Sequence, residues 1–161
     1  MASLPAADLH VGVPEYRRRA FRSMDVATDW NKQTIDDFRS KGGKGVGPFG
    51  DKLLLLTTRG AKSGRVRTTP VVYHRDGDRY VVAASMGGAP THPAWYHNLV
   101  KHREAEVEVG KEKFKVRATP VAKGPERDRL YKAHGANFAA FKDYPAKTTR
   151  VIPIVVLERV S

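Results

Sequence analysis

The feature that most restricts this chain is Glu104-Ala-Glu-Val-Glu-Val109, followed by Gly110-Lys111 and then Lys113-Phe-Lys-Val-Arg-Ala118. Both runs alternate polar and apolar residues without a break. That is the pattern of half-buried strands, because successive side chains of a strand point to opposite faces. Ala105, Val107, Val109, Phe114, Val116 and Ala118 collect on one face. The other face sets Glu104, Glu106 and Glu108 against Lys113, Lys115 and Arg117, which favours cross-strand ion pairs. A lone hairpin is marginal in water, so this one must belong to a larger sheet.

The rest of the chain supplies that sheet. Residues 53–58 read as a buried strand, and 67–74 with 79–85 as a hairpin. The hairpin turns at Asp76-Gly77, a pair suited to a type I′ turn because it tolerates positive φ. Residues 151–158 read as a final strand. Three helices are predicted. Thr28 N-caps the first, which carries Trp30, Ile35 and Phe38 as its apolar stripe and stops near Lys41 before Gly42-Gly43. Pro93 opens a short second helix through Trp95, Leu99 and Val100. Gly124-Pro125 starts an amphipathic third, with Leu130, His134 and Phe138 on its buried side. Hairpin-linked neighbours imply an antiparallel sheet. Six short strands with few spare edges imply a small closed barrel, hence an α+β, mainly antiparallel β fold. At 161 residues the chain holds one such domain, expected over 28–161 behind a basic, Pro-containing segment 1–27.

Composition narrows the function. There is no cysteine, so no disulfide framework, thiolate metal site or thiol nucleophile is available. The apolar runs at 53–56 and 151–157 are too short to cross a bilayer, and no signal peptide is visible, which makes the cytoplasm the default. Lys and Arg outnumber Asp and Glu by 29 to 17, a net charge of +12 that calls for an anionic partner. Nucleic acid, an anionic membrane surface and a phosphorylated or polycarboxylate ligand compete for that part. Nucleic acid fits poorly, because the aromatics are not interleaved with the cations as a stacking platform requires.

Three segments could carry chemistry. Gly45-Val-Gly-Pro-Phe-Gly50 spells a dinucleotide fingerprint, but it leaves a helix and enters a strand, the reverse of the order that puts a helix N-terminus on a pyrophosphate. A connector is the better reading. Arg59-Gly-Ala-Lys-Ser-Gly-Arg-Val-Arg-Thr-Thr-Pro70 lies in a stretch from Lys52 to Arg75 with six cations and no carboxylate. Its glycines let backbone N–H groups approach an anion, and Lys62, Arg65, Arg67, Ser63 and Thr69 add charge and hydroxyls. The alternative is a solvated basic tip. Ala83-Ala-Ser-Met-Gly-Gly88 with Pro93-Ala-Trp-Tyr-His-Asn98 combines small residues after a strand with a ring and an amide three apart on a helix. It suits a flat ligand, or else a turn beside a core tryptophan. His92, His97 and His102 recur every five residues, which spreads them round a helix, and no metal site is expected. There is no G-x-S-x-G elbow, and the carboxylates gather in the Glu104–Glu112 hairpin, where they look structural. With so little acid–base machinery, an enzyme of this kind relies on a bound cofactor.

Taken together, these pieces resemble the deazaflavin (coenzyme F-420)-dependent nitroreductase and quinone reductase family. The matching segments are Leu53-Leu-Leu-Leu-Thr-Thr-Arg-Gly-Ala-Lys-Ser-Gly64, Arg67-Thr-Thr-Pro70, Asp76-Gly77, Val82-Ala-Ala-Ser-Met-Gly-Gly-Ala89, Pro93-x-Trp-Tyr-x-Asn98 and Arg150-Val-Ile-Pro-Ile-Val-Val156, in order across about 28–160. The resemblance implies a split β-barrel of the flavin-reductase and pyridoxamine-oxidase kind. It also implies a 5-deazaflavin cofactor with a phosphodiester and an oligoglutamate tail, with flavin mononucleotide as the lesser alternative. By motif, Ala61, Lys62, Ser63 and Arg67 would hold the phosphate. Thr68, Thr69, Pro70, Val71 and Val72 would line the ring from one strand, and Ala83, Ala84, Ser85 and Met86 from its neighbour. Ala94, Trp95, Tyr96 and Asn98 would close the pocket, and the tail would run over Lys41, Lys44, Lys52 or Arg59.

The activity implied is hydride transfer to a quinone-like, nitroaromatic or activated enone acceptor, with Ser85 and Tyr144 as proton donors or hydrogen-bond partners. A cofactor carrier with little turnover would share the same phosphate turn. Phe138, Phe141 and Tyr144 would meet the acceptor. The nitroreductase branch has tyrosines where this chain has Phe138 and Phe141, and a lysine where it has Met86, so flat apolar acceptors are favoured over nitroimidazoles. Some relatives touch membranes through the N-terminal segment. Residues 14–24, with four arginines beside Tyr16, Phe21 and Met24, could do so here or simply pack on the barrel.

Overall fold

The structure is a computed structural model that describes residues 24–160, with side chains from Asn31 onward. The hairpin that opened the sequence reading forms as β4 (Glu104–Val109) and β5 (Glu112–Val121), with Glu104 opposite Arg117 and Val107 opposite Phe114. Around it lie β1 (Leu53–Arg59), β2 (Val66–Asp76), β3 (Arg79–Ala83) and β6 (Ile154–Arg159), all antiparallel, in a closed barrel of order β1-β2-β3-β6-β5-β4. The expected six-stranded barrel is therefore present, closed by the pairing of Leu55–Thr57 with Glu106–Glu108.

Among the described residues three α-helices clothe it: α1 (Met24–Ser40), α2 (Ala94–Lys101) and α3 (Pro125–Asn137). They explain why β1, β3 and β6 are apolar on both faces. Leu53, Leu54, Leu55 and Leu56 are all at most 1 % exposed, because α2 covers the outside of β1 while the barrel interior takes the alternate residues. In the same way α3 covers β2, β3 and β6. Each such leucine contributes about 1.5–3 kcal/mol by leaving water.

The structure corrects several local expectations. α1 begins at Met24, so Thr28 lies within the helix and does not cap it. The β2–β3 hairpin pairs Asp76 with Arg79, which makes Gly77-Asp78 the two-residue loop. Only Gly77 takes positive φ there, so the turn is not type I′. The reason is visible at Asp76, whose carboxylate is held by Arg79 and by Arg129 from α3 and cannot serve in the loop. β3 stops at Ala83, placing Ser85 in the following turn, and β6 starts at Ile154. The hairpin's glutamates do form ion pairs, as expected, but Glu106 reaches Lys113 diagonally at 3.4 Å and Glu108 turns to Arg39 of α1 at 2.8 Å. His92 and His97 lie with rings 5.7 Å apart, because His92 precedes Pro93 and is not on the helix. Among the described residues no helix is long and apolar enough to cross a membrane, and residues 14–23 lie outside the description.

Candidate functional site

The β1–β2 connection is the basic turn singled out above. Gly60 N–H donates to Arg65 O at 2.7 Å and Gly64 N–H to Gly60 O at 3.0 Å, which closes the turn on itself. A Cβ at Gly60 would sit 2.5 Å from Ser63 Oγ and force that hydroxyl to move, and Gly64 has φ +72°. Within this frame the N–H groups of Lys62 and Ser63 have no partner among the described residues. Nor do Lys62, Arg65 or Arg67 form an ion pair with a carboxylate among the described residues. Two backbone N–H groups without a protein partner and three cations, at the turn and the start of β2, are groups that could hold an anion.

α2 fixes that turn in place. Asn98 is buried; its Oδ1 accepts the Ala61 N–H at 2.9 Å and its Nδ2 donates to Thr58 Oγ1 at 3.0 Å. Lys101 Nζ donates to Ala61 O at 2.8 Å. Asn98, which the resemblance put on the pocket wall, thus spends both ends of its amide on the turn. Trp95, one turn earlier, is 4 % exposed and its Nε1 is buried without a partner. Tyr96 is buried against the His92 ring at 4.8 Å, and Ala94 is exposed at the helix start.

Thr68, Thr69, Pro70, Val71 and Val72 run along β2 opposite β1, from Thr57↔Thr68 to Leu53↔Val72. β3 is the neighbour of β2 on its other side, so Ala83, Ala84, Ser85 and Met86 follow directly beyond the β2–β3 ladder. The turn they enter is strained: Met86 has φ +48°, the one non-glycine at positive φ among the described residues, and Gly87 and Gly88 follow at +64° and +82°. Ser85 is fully buried and its Oγ has no partner. A buried polar atom without a partner costs about 1–3 kcal/mol, and a bound ligand is one way to satisfy it.

The segment expected over the acceptor is anchored from α3. Tyr131 donates its hydroxyl to Phe141 O at 2.7 Å, and Asn137 Nδ2 donates to Tyr73 O at 2.9 Å. Phe141 is core, 2 % exposed, edge-on to His134 at 4.3 Å and to Tyr144 at 5.1 Å. Phe138 is only half-buried, and Lys52 reaches across it to Asn137 O. Tyr144 is 4 % exposed, with its backbone carbonyl packed against Gly88. Of the four cations named for a tail, Lys52 is engaged here and Lys41 pairs with Asp37, which leaves Lys44 and Arg59.

The sequence reading missed Arg150 and the His74–His134 pair. Arg150 donates to backbone carbonyls of the Ser85 turn. Its only signal was its place at the head of Arg150-Val-Ile-Pro153. His74 and His134 share a hydrogen bond, Nδ1 to Nδ1 at 2.8 Å, so one donates and the other accepts. Burial, then the neighbouring His74, pushes His134 down to about 3, and burial also lowers His74. Nothing in the sequence pairs residues sixty apart.

The residues present suit a phosphorylated flat cofactor: groups that could hold an anion at Lys62–Arg67 and, beyond them, small side chains with two partnerless buried polar atoms. Comparisons with known proteins agree. Residues 30–159 match the model of the F420H(2)-dependent quinone reductase family. An F420H(2)-dependent quinone reductase of Mycobacterium tuberculosis is 45 % identical over 108 residues, 66 % of this chain and 72 % of that protein. A solved F420-H2 dependent reductase, FDR-A, is 32 % identical with a TM-score of 0.61, covering 66 % of this chain and 94 % of its own. A second solved structure, described as a domain-swapped dimer, is 31 % identical with a TM-score of 0.63, covering 82 % and 99 %. The chain belongs to the F420H(2)-dependent quinone reductase family, an F420-dependent oxidoreductase whose cofactor is coenzyme F-420.

Proposed function

We propose that the protein transfers a hydride from reduced coenzyme F-420 to a flat, apolar quinone, with activated enones and nitroaromatics as poorer acceptors. The observation that carries this reading is the group of N–H donors and cations at the Gly60–Arg67 turn, set beside buried partnerless atoms at Ser85 and Trp95. When bound, the reduced deazaflavin supplies a two-electron hydride, because carbon at position five suppresses the one-electron state.

The chain's own residues then have four tasks. Lys62, Ser63 and Arg67 take the phosphate, with the Lys62 and Ser63 N–H groups as donors. The strand residues from Thr68 to Val72 and from Ala83 to Met86 line the ring and exclude water. Ser85 Oγ, buried without a partner, offers a hydrogen bond in a site with no water to compete, and the Tyr144 hydroxyl is the proton donor to the reduced acceptor. Phe138 gives the acceptor an apolar face. The absence of a hydroxyl at the half-buried Phe138 supports quinones over nitroimidazoles. On this reading the protein works in the cytoplasm of a cell that makes the deazaflavin.

Anaerobic oxidation of the reduced deazaflavin by menadione, at catalytic protein concentration, tests the proposal. Many turnovers per protein support it. Oxidation that stops at one equivalent identifies a cofactor carrier.

A further inference from the structure

Three segments that carry the site meet at one side chain. Arg150, half-buried just before β6, donates Nε to Ala89 O at 2.8 Å, Nη2 to Ser85 O at 2.6 Å, and Nη1 to both Ala84 O at 3.1 Å and His92 Nδ1 at 2.8 Å. Four of the five N–H donors of a guanidinium are therefore used. Three go to the turn between β3 and α2, and the fourth goes to His92, whose ring packs at a tilt against Tyr96 at the start of α2. His92 must be neutral and carry its proton on Nε2 to accept that bond.

The turn cannot hold this shape by itself. Its own hydrogen bonds are Gly88 N–H to Ser85 O at 3.0 Å and Ala89 N–H to Met86 O at 3.1 Å, against positive φ at Met86. A strained backbone persists only where its surroundings over-determine it, and the surroundings here are Arg150 together with the packing of Gly88 on Tyr144 and Lys147. Ala84 and Ser85 are the same residues assigned to the cofactor wall, and Ser85 presents the partnerless hydroxyl.

We propose that Arg150 is a positioning residue of the cofactor pocket. It ties the Ala84–Ala89 wall to the His92 shoulder of α2, so that the pocket stands at its working width before the cofactor arrives. The pocket's identity rests on the deazaflavin reading above; the clamp does not. Lysine cannot substitute, since one ammonium lacks the planar fork that reaches three carbonyls and an imidazole together.

The test compares the wild-type chain with Arg150→Lys and Arg150→Ala in two measurements. Amide hydrogen exchange without cofactor should show residues 84–89 exchanging at least tenfold faster in both variants, with β1 and β4 unchanged. Fluorescence titration with oxidised deazaflavin should show the dissociation constant rising tenfold or more, with partial recovery of Arg150→Ala in millimolar guanidinium. Unchanged exchange at 84–89 overturns the proposal. Loss of protection throughout the barrel in Arg150→Lys also overturns it, because the residue would then support the whole fold. A wild-type chain that binds no deazaflavin overturns the functional reading alone, and the exchange result still decides the clamp.

Discussion

Asn98 Oδ1 accepts the Ala61 N–H at 2.9 Å, which ties the β1–β2 turn to the α2 helix. The turn is therefore positioned by a buried amide and does not depend on the anion for its shape. Asn98→Ala leaves the Ala61 N–H and the Thr58 hydroxyl without partners, at a cost of about 1–3 kcal/mol. In a chain of this size that lowers Tm by roughly 2–4 °C per kcal/mol. Deazaflavin affinity should fall in parallel, and a calorimetric scan beside a binding titration checks both. Unchanged affinity in a destabilised variant would show that the turn holds itself.

Lys62→Ala and Arg67→Ala should behave in the opposite way. Both side chains are exposed and have no carboxylate partner among the described residues, so folding hardly needs them. Each should weaken cofactor binding about tenfold, near 1.4 kcal/mol, through loss of a charge-assisted contact. The loss should shrink as salt is raised, because exposed charges are screened. Titrations at low and high salt, with melting curves alongside, separate this from misfolding.

The His74–His134 pair makes stability fall in mild acid. Both are held neutral in the fold, with His134 down to about 3, whereas the unfolded chain protonates them near pH 6.5. As pH drops below 6.5 the unfolded state binds more protons, so unfolding becomes easier, and the loss continues until the folded-state value is reached. From His134 alone the loss at pH 5 is about 2 kcal/mol. Urea unfolding between pH 8 and pH 5 measures the slope, and His134→Leu should flatten it. A slope that survives that substitution would assign the effect elsewhere.

Gly88→Ala places a Cβ 2.8 Å from Lys147 Cβ and 3.0 Å from Tyr144 O, at φ +82°. The substituted turn and the Tyr144–Lys147 segment cannot both stay where they are. We expect a loss of about 1–3 kcal/mol from backbone strain, and a larger proportional fall in menadione turnover than in cofactor affinity, because Tyr144 moves with its segment. Steady-state kinetics beside the binding titration give the ratio.

The barrel was legible because its strands announce themselves locally. The β4–β5 hairpin alternates perfectly, and the four-leucine run of β1 can be a strand only if covered on both faces. The β1–β2 connection stood out as a tight basic turn because charge, glycine and missing carboxylates coincide in one short stretch. What sequence did not reveal depends on long-range contact. The Gly77-Asp78 register is set by Arg129 of α3 taking the Asp76 carboxylate. Asn98 looks like a pocket residue until Ala61 and Thr58 are seen to occupy it. Phe141 looks like a substrate contact until His134 and Tyr144 enclose it. Local pattern identifies elements, whereas the partner of a buried polar group is fixed only by the closed barrel.

One titration tests the role of the Gly60–Arg67 turn most directly. Purified protein is titrated with oxidised deazaflavin and with flavin mononucleotide by fluorescence, beside the Lys62→Ala, Arg67→Ala double variant. The expected result is saturable deazaflavin binding, much weaker flavin mononucleotide binding, and loss of deazaflavin affinity by about a hundredfold in the double variant if the two contacts add. Equal deazaflavin affinity in wild type and double variant would contradict the assignment of the Gly60–Arg67 turn, whatever the protein goes on to reduce.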